Sequence, residues 1–179
     1  GIYTGYKYYE PRYADVVLGQ GNAASTVGST SGAWTYANEV TYPFGYGLSY
    51  TSFAYSNPSV VNDGKTITAK LSVKNTGSVA GKEVVQLYVS APEGKLDKPV
   101  KELKAYGKTA SLEPGESTEL TLSFPTSELA SFDEEASAWV VDEGCYRFLF
   151  GASSRDIRCS AEANAAASIT PVHRVLLKR

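Results

Sequence analysis

Histidine is almost missing from this chain, with His173 the single example in 179 residues, and methionine is missing altogether. One histidine near the end builds neither a nucleophile–base pair nor a histidine-rich metal site. Cysteine is limited to Cys145 and Cys159, fourteen positions apart, which excludes the C-x-x-C spacing of zinc and redox motifs. The Asp and Glu residues are scattered without a calcium-loop pattern, so neither a metal nor a cofactor is expected. A surplus of charge of one sign is lacking too. With 17 Lys and Arg against 19 Asp and Glu, a net charge of -2 and a pI near 5.5, nothing in the electrostatics calls for nucleic acid or an anionic membrane as partner. No apolar run reaches the about 18 residues of a spanning helix, and the opening GIYTGYKYYE has no apolar signal-peptide region. A chain that starts with glycine and contains no methionine reads as a fragment of a longer gene product. No acceptable N-x-[ST] site occurs, since Asn57 is followed by proline, and this favours a cytoplasmic or bacterial setting over a glycosylated secreted one.

What the chain does have is aromatic residues, unevenly spread. Ten of the 13 tyrosines lie in the first 55 residues. Their densest cluster is Tyr42 to Phe53, YPFGYGLSYTSF, where five aromatics, two glycines and a proline share a segment free of Lys, Arg, Asp and Glu. Glycine permits unusual backbone angles, proline fixes its own φ and rings supply contact area, so the string suits an ordered joint held against something large. Ahead of it, Val17 to Glu39 is rich in Gly, Ser, Thr and Asn and reads as a long loop carrying Trp34 and Tyr36. Gly19 to Ala24 in that loop matches G-x-G-x-x-[GA], but STVGSTSG follows and forms no helix to present amides to a pyrophosphate. GSVAGK is one residue short of a P-loop and reads as a hairpin turn.

From Ser52 onward the pattern becomes strand-like. In TITAKLSVKN, Ile67, Ala69, Leu71 and Val73 face one way and polar residues the other, and the same period recurs at Val85, Leu87 and Val89 and at Leu120, Leu122 and Phe124. Asn75-Thr76-Gly77 and Pro114-Gly115 supply turn chemistry between them. Further short strands are expected at Lys101 to Gly107, Ala138 to Val141, Tyr146 to Phe150 and Asp156 to Ser160. About seven short strands over some 110 residues predict an all-β, immunoglobulin-like sandwich. SELASFDEE is expected to make one helical turn capped by Ser127, with Ala130 and Phe132 beneath it. A hairpin centred on Ser153 and Ser154 pairs residues summing to about 307, which sets Cys145 near Glu162 and Cys159 near Phe148, too far apart for a disulfide. AEANAAASITP reads as linker and VHRVLLKR as tail.

Residues able to act on a ligand are few. A retaining glycosidase needs two carboxylates about 5 Å apart across the scissile bond, whereas Asp133, Glu134, Glu135, Asp142 and Glu143 fall in polar turns between strands and read as solvated surface. Trp34 and Tyr36 are the candidate carbohydrate contacts, because such rings stack on sugars while their polar tips bond hydroxyls. Tyr3 to Tyr13 read as packing against a preceding domain, Trp139 as core, and Tyr146 as the donor of a tyrosine-corner bond.

Taken in order, GIYTGYKYYE, YPFGYGLSYTSF, VKNTGSVAGKEVVQLYV, PVKELKAY, LEPGES, LASFD and GASSRDI resemble successive landmarks of the fibronectin type III-like region at the end of many glycoside hydrolase family 3 enzymes, the β-glucosidase and β-xylosidase group. The likeness covers roughly Gly1 to Ser160. It implies a division into residues 1–41, the last strand and exit of a preceding α/β sandwich domain plus a long loop; 42–163, a fibronectin type III-like β-sandwich; and 164–179, linker and tail. It also implies a parent that hydrolyses β-glycosides with retention, through an aspartate nucleophile on a barrel and a glutamate acid/base on the α/β domain. No residue of this chain matches either motif, so no catalytic residue is assigned and the isolated chain is expected to be inactive. The expected partners are the catalytic domains of the same parent. In some relatives the barrel follows the fibronectin-like domain, an order with which a linker and tail are compatible. The alternatives are a carbohydrate-binding module and a structural immunoglobulin-like interaction domain.

Overall fold

A strand whose side chains alternate between apolar and polar must bury one face, and two such sheets solve the problem by closing on each other. The computed structural model describes residues 4–13 and 36–172. Among these, β1 (Phe53–Asn62), β2 (Thr66–Asn75) and β5 (Ser117–Pro125) form one antiparallel sheet in the order β1-β2-β5. The second sheet runs β4-β3-β8-β9, from β3 (Val84–Ser90), β4 (Glu102–Lys108), β8 (Gly144–Gly151) and β9 (Ile157–Ala165). The fold is a fibronectin type III, immunoglobulin-like β-sandwich. A small third sheet, β10-β7-β6, is built from β6 (Ser131–Asp133), β7 (Ala138–Val141) and β10 (Ser168–Pro171). Two helical segments precede the strands, α1 (Tyr6–Tyr13) and α2 (Tyr36–Glu39). Where the family resemblance implies a strand and exit, the described residues 6–13 are therefore helical.

The core lies between the three- and four-stranded sheets. Ile67, Leu71 and Val73 of β2 and Leu122 and Phe124 of β5 meet Val85, Leu87 and Val89 of β3 and Tyr146, Phe148 and Phe150 of β8. Phe124 and Phe148 touch across the layers with ring centroids 6.5 Å apart. Each such aliphatic or aromatic side chain contributes about 1.5–3 kcal/mol by leaving water. Two polar devices fix the geometry. Asn75, fully buried at the end of β2, donates to the carbonyls of Val79 and Leu112 at 2.8 Å each and accepts from the Thr51 hydroxyl at 2.7 Å and the Gly77 amide at 3.0 Å. Tyr146 donates its phenol to the carbonyl of Asp142, 3.0 Å away, which is the tyrosine corner expected of a residue two positions after Gly144. Burial, with a smaller effect from the Asp142 carboxylate, pushes that phenol up to about 12, so it stays a donor at every ordinary pH.

Four expectations are corrected. Trp139 is 48% exposed rather than core, because Ala138 and Val141 take the buried positions of β7. SELASFDEE makes a 3-10 turn at Thr126–Leu129 and then strand β6, with Leu129 buried and Phe132 turned outward. The stretch read as linker continues as strand, β9 reaching Ala165 and β10 pairing with β7 through Ser168↔Val141 and Thr170↔Trp139. In the β8–β9 hairpin the pairs are Cys145↔Asn164 and Phe150↔Cys159, a sum two larger than expected, because an irregularity beside Gly151 shifts the register. The new register still holds the two free thiols apart.

Asn75→Ala is expected to cost about 2–4 kcal/mol, since it strands buried carbonyls as well as deleting bonds, while Tyr146→Phe costs about 1 kcal/mol. Urea unfolding of the two variants checks the ranking.

Candidate functional site

Period two in β3 sends Val85, Leu87 and Val89 into the core, yet Gln86 and Tyr88 on the opposite face are buried as well. A sheet face that sequence alternation leaves for solvent is here covered, and the cover is the aromatic segment. Tyr6 of α1 stacks on Phe44 at 4.3 Å, meets Tyr88 edge-on at 6.2 Å and accepts a hydrogen bond from the Leu103 amide at 2.8 Å. Gln86 donates through Nε2 to the carbonyls of Gly45 (2.9 Å) and Ala152 (2.8 Å), and its Oε1 accepts from the Tyr88 phenol at 2.5 Å. One side chain of the sheet thereby ties the joint to the β8–β9 turn. Gly45 has φ +78°, and a Cβ there would lie 2.0 Å from Gln86 Oε1. Only glycine allows the approach.

Glu10 is the second anchor. It is 2% exposed, and its carboxylate accepts from the Tyr36 phenol (2.9 Å) and the Ser154 hydroxyl (2.8 Å) and pairs with Lys101 (3.1 Å) and Arg155 (3.5 Å). A buried charge is tolerable only when paired and hydrogen-bonded, and these four groups come from three separate stretches of chain. At the rim of the same contact Lys7 and Lys104 both bond to Glu102. Partial burial works to raise the Glu102 pKa, but the hydrogen bonds and charges of Lys7 and Lys104 outweigh it and hold the carboxyl below the usual carboxylate value.

The turn carrying GASSRD is a receptor for the joint rather than a solvated hairpin tip. Ser153 and Ser154 are buried, and the Ser154 amide donates to the carbonyl of Phe44 at 2.8 Å. Two serines that the sequence offers only as turn formers hold the aromatic segment in place, and their one sequence signal is proximity to an arginine and an aspartate able to complete a polar network. Tyr36 is half-buried, its phenol on Glu10 and the Arg155 guanidinium 5.0 Å from its ring centre. Trp34, the other candidate carbohydrate contact, lies outside the described residues, as do Gly19 to Ala24, Tyr3 and His173. The acidic turn residues divide. Glu134, Glu135 and Glu143 are exposed, whereas Asp133 is buried, accepting from the amides of Glu135 and Ala136, and Asp142 pairs with Lys98. Among the described residues no three His, Cys, Asp or Glu side chains converge to hold a metal.

Beyond the clip at Gly45 the joint turns outward. Tyr42 and Tyr46 stack on each other at 5.0 Å with both rings largely exposed, and Leu48 and Tyr50 are almost wholly in solvent. The arrangement binds polypeptide on its inner side and presents apolar rings on its outer side. It brings together no nucleophile and base.

Residues 83–154 match the model of the fibronectin type III-like domain. The chain is 41% identical over 159 residues to probable beta-glucosidase K of Emericella nidulans and 39% identical over 176 residues to beta-glucosidase A of Butyrivibrio fibrisolvens, each likeness taking in 88% of the chain. It spans only 16% and 19% of the lengths of these two relatives. Among solved structures it resembles beta-glucosidase 3B from Thermotoga neapolitana in complex with alpha-D-glucose, with a TM-score of 0.75 and 41% identity over 96% of this chain and 20% of that one. A beta-glucosidase from Kluyveromyces marxianus in complex with glucose gives 0.75 at 33% identity, over 96% and 18%.

Gly45→Ala is expected to open the joint at a cost of about 1–3 kcal/mol, combining positive-φ strain with the clash on Gln86. Hydrogen exchange will show it as lost protection of the Ser154 amide, which donates to the Phe44 carbonyl, with the core strands unchanged. A carboxyl whose folded pKa is depressed stabilises fully above its unfolded value of about 4.3, and that support is lost as pH falls through the lower folded value. Protection of the α1 amides is accordingly expected to drop below about pH 4, and Glu102→Gln to remove that dependence.

Proposed function

We infer, for a chain that belongs to the fibronectin type III-like region of glycoside hydrolase family 3 β-glucosidases, that it serves as an accessory, non-catalytic sandwich docked on the catalytic domains of its own parent enzyme. The observation that carries the docking is the two-sided joint, with Phe44 and Gly45 clipped to the sheet while Tyr42, Tyr46, Leu48 and Tyr50 point away from it. Contiguous exposed rings of this kind mark a contact surface rather than a solvated turn. Tyr36 is already engaged by Glu10 and Arg155, which favours a role within the joint over sugar stacking.

For the parent we propose retaining hydrolysis of β-glucosides, with the names of the relatives as support and with both catalytic carboxylates on the domains outside this chain. We place the start of the sandwich at Tyr42, leaving 1–41 as the end of the preceding domain and its loop. Its far boundary, proposed from sequence at Ala163, we extend to Pro171 on the strength of β10.

Leu48→Ser combined with Tyr50→Ser is the discriminating variant, because these side chains are almost wholly exposed among the described residues. The melting temperature of the isolated chain is expected to stay within a degree, while that of the complete gene product falls by several degrees and its β-glucosidase activity drops. An unchanged melting temperature and activity of the complete product would overturn the docking. The isolated chain is expected to release no nitrophenol from a nitrophenyl β-glucoside.

A further inference from the structure

The exposed Trp139 is unexplained by the joint. It sits on the central strand of the small sheet, directly opposite Phe132 on one side and Thr170 on the other, and its ring meets that of Phe132 edge-on with centroids 5.2 Å apart. The row Phe132, Trp139, Thr170 lies in a groove of about 1120 Å³, between the small sheet, the Thr126–Leu129 turn and residues 95–99. That volume is slightly above the about 300–1,000 Å³ typical of small-molecule sites.

The charges of the groove narrow the ligand. Lys7 and Lys104 are both committed to Glu102, and Lys95 to Asp133 and Glu135, so an anion meets no unpaired ammonium. Asp97, Glu128 and Glu134 line the same space, are exposed, and have no hydrogen-bond partner among the described residues. Carboxylates accept and do not donate, so a ligand suited to these walls must bring hydroxyl or N–H donors, and the ring platform asks in addition for a flat face of C–H groups. An acyl chain has the second without the first, and a phosphate has neither. A pyranose ring has both.

We propose that this groove binds a short stretch of a β-linked oligosaccharide, with a sugar ring stacked on the face of Trp139, Phe132 set edge-on beside it, and the sugar hydroxyls donating to Glu128, Glu134 and Asp97. The choice of a β-linked chain rests on the proposed parentage, whereas the sugar class rests on the groove alone. The groove meets the α1 contact only at Lys7, Glu102 and Lys104 and takes in none of residues 42–50, so variants at Trp139 test the binding and variants at Leu48 and Tyr50 the docking.

Affinity electrophoresis of the full 179-residue chain through gels containing barley β-glucan, with starch as the α-linked comparison, tests it. Retardation by β-glucan is expected, weakened at least tenfold by Trp139→Ala and equally by Trp139→Leu, which keeps an apolar side chain on the sheet but no flat face. Tyr106→Ala, an exposed ring outside the groove, is expected to change nothing. Three results would overturn the proposal: no retardation of the unaltered chain, equal retardation of the Trp139 variants, or retardation by starch in preference to β-glucan. A basic polypeptide is the other ligand that acidic walls attract, and binding of oligolysine that blocks the groove and is lost at about 0.5 M salt, with no retardation by glucan, would assign the site to it instead.

Discussion

A carboxylate that has left water must find its counter-charges and donors inside the protein, and Glu10 sets that requirement for the whole outer face of the four-stranded sheet. Its partners come from α2, from the stretch just before β4 and from the β8–β9 turn, so satisfying one buried charge fixes three stretches of chain around α1. Removing any partner leaves the charge under-compensated, which costs more than the lost bond alone. Gln86 repeats the logic with neutral groups, serving two carbonyls and a phenol from the middle of β3. The aromatic rings fill the space these polar anchors define.

That division of labour suits the accessory role proposed for the sandwich. Its inner core, between β2, β5, β3 and β8, needs nothing from outside. Its outer face holds a segment whose far side is apolar and exposed among the described residues. The core and this segment are linked where Thr51 hydrogen-bonds to Asn75, where the Thr76 amide donates to Ser52, where Gln86 reaches Gly45 and where the Ser154 amide donates to Phe44.

The inward residues of β2 were legible in the sequence because only one face of that strand is buried, and period two survives intact. In β3 both faces are buried, and alternation identifies the core side but is silent about the other, since a glutamine and a tyrosine are ordinary solvent-side residues. Tyr146 was legible from its distance to Gly144. Trp139 was not: in AWVV the large ring reads as core, and only the pairing of β7 between β6 and β10 shows which positions face inward. The same third sheet hides in an alanine-rich stretch whose composition imitates a linker, because β-propensity is weak compared with the pairing a neighbouring strand offers. The polar receptor at Ser153 and Ser154 depends on contacts with Glu10 and Phe44, far away along the chain, and no local pattern reports those.

Glu10 meets Ser154, 144 positions away along the chain, and pairs with the adjacent Arg155, so these two contacts close the longest loops among the described residues. Loop closure of that span costs entropy that nothing repays until β8 and β9 have paired and shaped the turn that receives α1. The sandwich therefore has to assemble first, and the joint settles onto it as a late, separately reversible step. The aromatic segment thus latches only onto a finished sheet.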